Sequence, residues 1–88
     1  MTKEQRKAKT FLDRYKRAST EGEAAELYEE IESAIDAATE NIDYRIVLKM
    51  RHLLDGITYE DMGNVIFYTA RHTRRIYYEA LEVFGKNV

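Results

Sequence analysis

The sequence predicts an all-α chain of about five helices, and three observations carry that expectation. Apolar residues recur at spacings of three and four along most of the chain, and no segment alternates apolar and polar residues as a half-buried strand would. There are no prolines and only four glycines in 88 residues, so helices can run long and turns are few. Threonine or asparagine stands before several of the periodic segments, where an N-cap is needed. A composition of 44% hydrophobic and 34% charged residues suits a folded domain, at a size that supports one thin core.

The first helix is expected over 3–18, where Phe11, Leu12, Tyr15 and Ala18 form a narrow stripe before Ser19, Thr20 and Gly22 interrupt it. A second is expected over 23–39. Leu27, Ile31, Ala34, Ile35 and Ala38 share one face, and Glu26, Glu29, Glu30, Glu32 and Asp36 mostly occupy the other. Glu21 and Glu23 stand at its start, where the helix dipole favours negative charge. Asn41 or Asp43 opens a third, whose stripe is Ile46, Val47, Met50, Leu53 and Leu54, and Asp55-Gly56 stops it with Gly56 as a left-handed cap. A short fourth helix, 58–65, starts at Thr58 with Asp61 where a capping box usually has Glu or Gln, and turns Tyr59, Met62 and Ile66 to one side. The fifth, 69–84, has Thr69 as N-cap, an inward stripe of Thr73, Ile76, Tyr77, Ala80, Leu81 and Phe84, and Gly85 as its stop.

A net charge of −2 argues against a nucleic-acid partner until it is divided along the chain. Residues 1–19 carry seven bases and two acids, 20–43 carry nine acids and no base, and 44–88 carry seven bases and five acids. A basic first helix beside an acidic second one predicts an antiparallel hairpin over 1–41, or a dimer in which arms cross; the arm could equally lie along DNA. The chain thus divides into an N-terminal oligomerisation segment, 1–41, and a functional unit, 42–88.

In that second part a buried-looking helix, a glycine turn, a two-turn helix, a brief break and a longer helix follow one another, which is the length pattern of a helix-turn-helix. Once the inward stripe of the last helix is assigned, Ala70, Arg71, Arg74, Arg75 and Tyr78 are left facing outward. From Thr69 to Tyr78 there are three arginines, one histidine and no acid. Arginine's planar fork fits a guanine edge or a phosphate bidentately, and a helix N-terminus with a threonine hydroxyl can hold a phosphate. Base readout therefore falls to Ala70, Arg71, Arg74 and Arg75, with Thr69, His72 and Tyr78 as phosphate or edge contacts.

Residues 44–62, with Gly56-Ile57-Thr58-Tyr59-Glu60-Asp61-Met62 at their end, resemble the opening of a sigma-70 region 4-type helix-turn-helix. The continuation Thr69-Ala70-Arg71-His72-Thr73-Arg74-Arg75-Ile76, followed by Glu79-Ala80-Leu81 and Phe84, is similar to the DUF1492/ArpU-like transcriptional regulators of phages and prophages of Gram-positive bacteria. The resemblance runs without a gap from Ile42 to Phe84, about half the chain. It implies sequence-specific binding of double-stranded DNA and control of transcription, with 58–65 as supporting helix and 69–84 as recognition helix. Gly63 stands where the family prefers Ala and Thr73 where it prefers Val, and each is expected to loosen the helix crossing by about 1 kcal/mol.

One helix-turn-helix reads few base pairs, so a homodimer or contact with RNA polymerase is expected. Two other roles compete: a DNA-packaging protein like a small terminase subunit, and a protein-interaction or inhibitor module working through the acidic helix. There is no Gly-rich phosphate loop, HExxH pair or Ser/His/Asp pattern, so no enzyme, cofactor or small-molecule substrate is expected. His52 lacks partners at ligand spacing, Glu29 and Glu32 lack the Glu-x-x-His of di-iron bundles, and cysteine is absent, so no metal is expected either. No apolar run is long enough for a membrane span or follows the N-terminal charges as in a secretory signal, which places the protein in the cytoplasm, by the resemblance that of a bacterial host cell.

Overall fold

The computed structural model describes all 88 residues: five α-helices, one 3₁₀ turn and no strand. α1 spans Lys3–Leu12, α2 Glu21–Ala38, α3 Ile42–Leu53, α4 Tyr59–Ile66 and α5 Ala70–Lys86. No helix is long and apolar enough to cross a membrane. α5 is the central element, with α1, α3 and α4 laid against it. Its stripe of Thr73, Ile76, Tyr77, Ala80, Leu81 and Phe84 is wholly buried, as its spacing predicts. Ala8 and Leu12 of α1, Ile31 and Ile35 of α2, Val47, Leu48 and Leu53 of α3, and Met62 and Ile66 of α4 complete one shared core.

That single core draws on helices from both sides of residue 41. α1 docks on α5, and only Arg14–Glu30, at 3.0 Å, ties the first basic segment to the acidic helix by charge. Exposed ion pairs contribute a few tenths of a kcal/mol, whereas burying a leucine side chain is worth roughly 2 kcal/mol. Apolar docking of Ala8 and Leu12 therefore decides where α1 goes.

α1 begins with a complete capping box between Thr2 and Gln5 and ends at Leu12, six residues short of the expected 18. Asp13 caps the end while its carboxylate takes Lys9 Nζ at 2.7 Å and His52 Nδ1 at 3.0 Å. A 3₁₀ turn, Tyr15–Arg17, then swings Tyr15 onto Tyr28 of α2, with ring centroids 5.6 Å apart. One straight helix could not send Leu12 to α5 and Tyr15 to α2.

Thr20 caps α2, which therefore starts at Glu21. No base lies in its last turn, and Arg45 of α3 supplies the missing donors, Nε to Thr39 O at 2.6 Å and a second nitrogen to Asp36 O at 2.8 Å. Asn41, not Asp43, caps α3. The inward face of α3 is rotated from the expected one: Leu48 and His52 are buried and Leu54 is exposed. His52 can turn inward because both ring nitrogens find partners there. Leu54 is extended, and Gly56 takes φ +66° in the turn beyond it.

Thr58 and Asp61 form both bonds of a capping box at the start of α4, and the backbone N–H of Thr58 holds the exposed Asp61 carboxyl below its usual range. Gly63 tightens the α4–α5 crossing rather than loosening it. A β-carbon there would strike the carbonyl of Tyr68 and lie 2.9 Å from Thr73 Oγ1. Thr73 is fully buried and its hydroxyl donates to Thr69 O at 2.8 Å, so glycine and threonine fit as a pair and no polar atom is stranded.

Between α4 and α5 the chain turns on Phe67, whose φ of +64° is left-handed and whose side chain is 90% exposed. A bulky L-residue in that conformation costs about 1–2 kcal/mol, and this one packs on nothing in return. Phe67→Gly should raise unfolding stability by about 1 kcal/mol, read as a higher urea midpoint at unchanged slope; an unchanged or lower midpoint would refute the strain.

Candidate nucleic-acid interface

The N-terminal half of α5 presents the arginine face that the sequence leaves outward. Thr69, Ala70, Arg71, Arg74 and Arg75 are exposed, and His72 and Tyr78 are half-buried. No carboxylate pairs with Arg71, Arg74 or Arg75. The two acids farther along the helix are engaged at its other end, Glu79 by the Tyr44 hydroxyl at 3.2 Å and Glu82 by the Thr2 hydroxyl. Burial and the Glu79 carboxylate raise the pKa of Tyr44, keeping it a donor.

The three arginines are held differently. One Arg75 nitrogen donates to His72 Nδ1 at 2.8 Å, and the His72 ring lies on Tyr68 with centroids 4.6 Å apart. The Arg74 guanidinium lies over the Tyr78 ring, 5.5 Å from its centroid. The Arg71 side chain makes no hydrogen bond or ion pair and is free to reach. Thr69 Oγ1 accepts the His72 N–H at 3.2 Å, so its oxygen is occupied as a cap, leaving its O–H available to donate. The N–H groups of Ala70 and Arg71 have no intrahelical acceptor, as at any helix start. Together Thr69, Arg71, His72 and Arg75 line a shallow hollow of about 400 Å³ that no hydrophobic residue lines. Its chemistry is that of an anion site at a positive helix end.

The other face of α5 is closed by a hydrogen-bonded chain. Tyr77 O–H meets His52 Nε2 at 2.7 Å, His52 Nδ1 meets Asp13 at 3.0 Å, and Asp13 meets Lys9. Burial depresses the His52 pKa from 6.5 to about 4, against the pull of the Asp13 carboxylate. Burial also raises the phenol of Tyr77 well above its usual range, so it stays protonated. For Asp13, burial is outweighed by Lys9 and His52, and its carboxyl is held below the usual range. The acids of α2 do not converge: Asp36 pairs with Lys49 at 2.8 Å and Arg45 at 3.6 Å, and Glu30 with Arg14.

Three further bases that the sequence reading did not single out, Lys16, Arg17 and Arg51, line a cleft beside this chain. They belong to segments more than thirty residues apart, and no local pattern joins them. Comparison with protein-family models, with curated proteins and with solved structures found no match to this chain.

Proposed function

We propose that the chain is a sequence-specific DNA-binding protein that acts by binding and not by catalysis, with α4 and α5 as a helix-turn-helix of the sigma region 4 type. In this reading α5 enters the major groove by its N-terminal half. Arg71, Arg74, Arg75 and Ala70 meet base edges, and Thr69, His72 and Tyr78 meet phosphates or groove edges. The observation that carries it is the run of three arginines without a carboxylate partner on one exposed face of a helix whose opposite face is fully buried. A rigid helix pinned from behind positions guanidinium forks at low entropic cost. Control of transcription is the part of the proposal that rests on the resemblance of residues 42–84 to phage regulators. A second copy of the chain or RNA polymerase would supply the rest of a useful site, since one such unit reads only a few base pairs.

Selection of bound duplexes from a random pool at two salt concentrations tests the reading, because specificity has meaning only with salt stated. Arg71→Ala and Arg74→Ala should each weaken binding to the selected duplex by about 1–3 kcal/mol and relax the preference at one position, with helicity unchanged. An unaltered footprint in the double variant would refute the assignment.

A further inference from the structure

We propose that Lys16, Arg17 and Arg51 form a second contact surface, which holds the phosphodiester backbone of the same duplex beside the base pairs read by α5. The inference rests on the DNA reading above and extends it to residues outside α4 and α5. The surface is a cleft of about 520 Å³ between the 3₁₀ turn, the end of α3 and the start of α4. Four bases line it, Lys9, Lys16, Arg17 and Arg51, against one acid, Asp13. That acid is already occupied by Lys9 Nζ at 2.7 Å and by His52. The remaining three cations have no carboxylate partner anywhere in the fold.

Two of the three are held in place by neutral partners. Lys16 Nζ donates to Arg51 O at 2.8 Å. Arg51 donates to Ile57 O at 2.8 Å and lays its guanidinium over the Tyr59 ring, 4.8 Å from the centroid. Neutral partners orient these cations without cancelling their charge, so their field is directed into the cleft. Tyr59 and Tyr78 form part of its wall, and Tyr78 carries Arg74 on its ring. The positive surface is thus continuous from Arg74 across the tyrosines to Arg51, Lys16 and Arg17. A continuous strip of oriented cations fits a polyanion with charges at regular intervals better than a single small anion. DNA whose bases meet Arg74 carries its backbone along that strip.

The test is the salt dependence of affinity for the selected duplex, measured for the full chain and for Arg17→Ala, Lys16→Ala/Arg17→Ala and Arg74→Ala. The slope of log affinity against log salt should fall by about 1 for the single lysine-sparing variant and about 2 for the double one. Both should weaken selected and random duplexes by the same factor and leave the selected sequence unchanged, whereas Arg74→Ala should change it. The Arg17 side chain makes no hydrogen bond, and the bond from its backbone N–H to Arg14 O survives truncation to alanine, so its single variant keeps the test valid even if loss of the Lys16 bond disturbs the turn. Slopes equal to the unaltered protein's, with Arg74→Ala still changing the selected sequence, would overturn the second surface alone. If Arg74→Ala also has no effect, the DNA reading itself fails. Competition by inorganic phosphate at constant ionic strength, abolished by Arg17→Ala, would assign the cleft to a free anion and overturn the backbone contact.

Discussion

Gly85→Ala should destabilise the protein by about 3 kcal/mol, although the change adds one methyl group to a helix and improves its intrinsic propensity. Gly85 lies inside α5, one residue before its last, and is buried. A β-carbon there would strike the carbonyl oxygen, carbonyl carbon and Cα of Glu4. The obstacle is backbone in the first turn of α1, so no rotamer change can relieve it. Either α1 lifts off, withdrawing Ala8 and Leu12 from the core, or the end of α5 bends away with Phe84, whose ring lies 5.6 Å from that of Phe11. Removing Leu12 alone from its buried site forfeits roughly 2 kcal/mol. Urea unfolding gives the loss directly, and hydrogen exchange should show α1 amides as the first to lose protection. Gly22→Ala is the control, because a β-carbon at that helical position meets nothing within 4 Å; it should leave the midpoint unchanged or slightly raised. An unchanged midpoint for Gly85→Ala would mean that α1 does not pack on α5 at this distance. The consequence reaches the candidate interface, since Gln5 of α1 donates to Tyr78 O at 2.9 Å and Asp13 at the end of α1 steadies His52.

Such a contact shows what a sequence can and cannot disclose. The five helices were legible because each buries a stripe set by local spacing, and because Asn41, Thr58 and Thr69 stand where orphan N–H groups need an acceptor. The arginine face of α5 was legible by elimination, once its inward stripe was assigned. What stayed hidden depends on partners far along the chain. Gly85 reads as a helix stop by local rules, but its role is to admit the backbone of Glu4, 81 positions earlier. Gly63 reads as a packing defect until Tyr68 O and Thr73 Oγ1 are seen against it. α1 stops at Leu12 without glycine or proline because Asp13 answers to His52. His52 is polar and belongs to no apolar stripe, and only Asp13 and Tyr77 make its burial tolerable. The basic cleft combines residues 16, 17 and 51, which charge counting by segment places in different groups. A net charge of −2 conceals all of this because the nine acids of 20–43 dominate the total while sitting away from the α5 arginines in sequence.

Acidification from pH 7 to about 4 should remove about 3 kcal/mol of stability through His52 alone. The ring is 2% exposed and bonded at both nitrogens. Asp13 is held ionised and can only accept, which assigns the proton to Nδ1; Nε2 must then accept from the Tyr77 hydroxyl, which burial keeps protonated. Burial opposes a second proton, and the nearby ammonium groups of Lys16 and Lys9 oppose it as well, so the carboxylate of Asp13 does not restore an ordinary pKa. In the unfolded chain the same imidazole ionises near pH 6.5. Between pH 6.5 and about 4 the unfolded chain therefore takes up a proton that the native fold refuses. The contribution is complete above 6.5, declines through that window and is gone below about 4. Carboxyls with depressed values, Asp13 and Asp61, act lower, as pH falls below their usual 3.8, and so leave the window to His52. Urea midpoints across this range supply the measurement, and His52→Gln supplies the contrast, since an amide can accept from Tyr77 but does not titrate. The variant should begin less stable at pH 7 and lose little more on the way to pH 4. Parallel decline of the two proteins would show that His52 is not the group responsible, and that its bonds to Asp13 and Tyr77 do not hold it neutral.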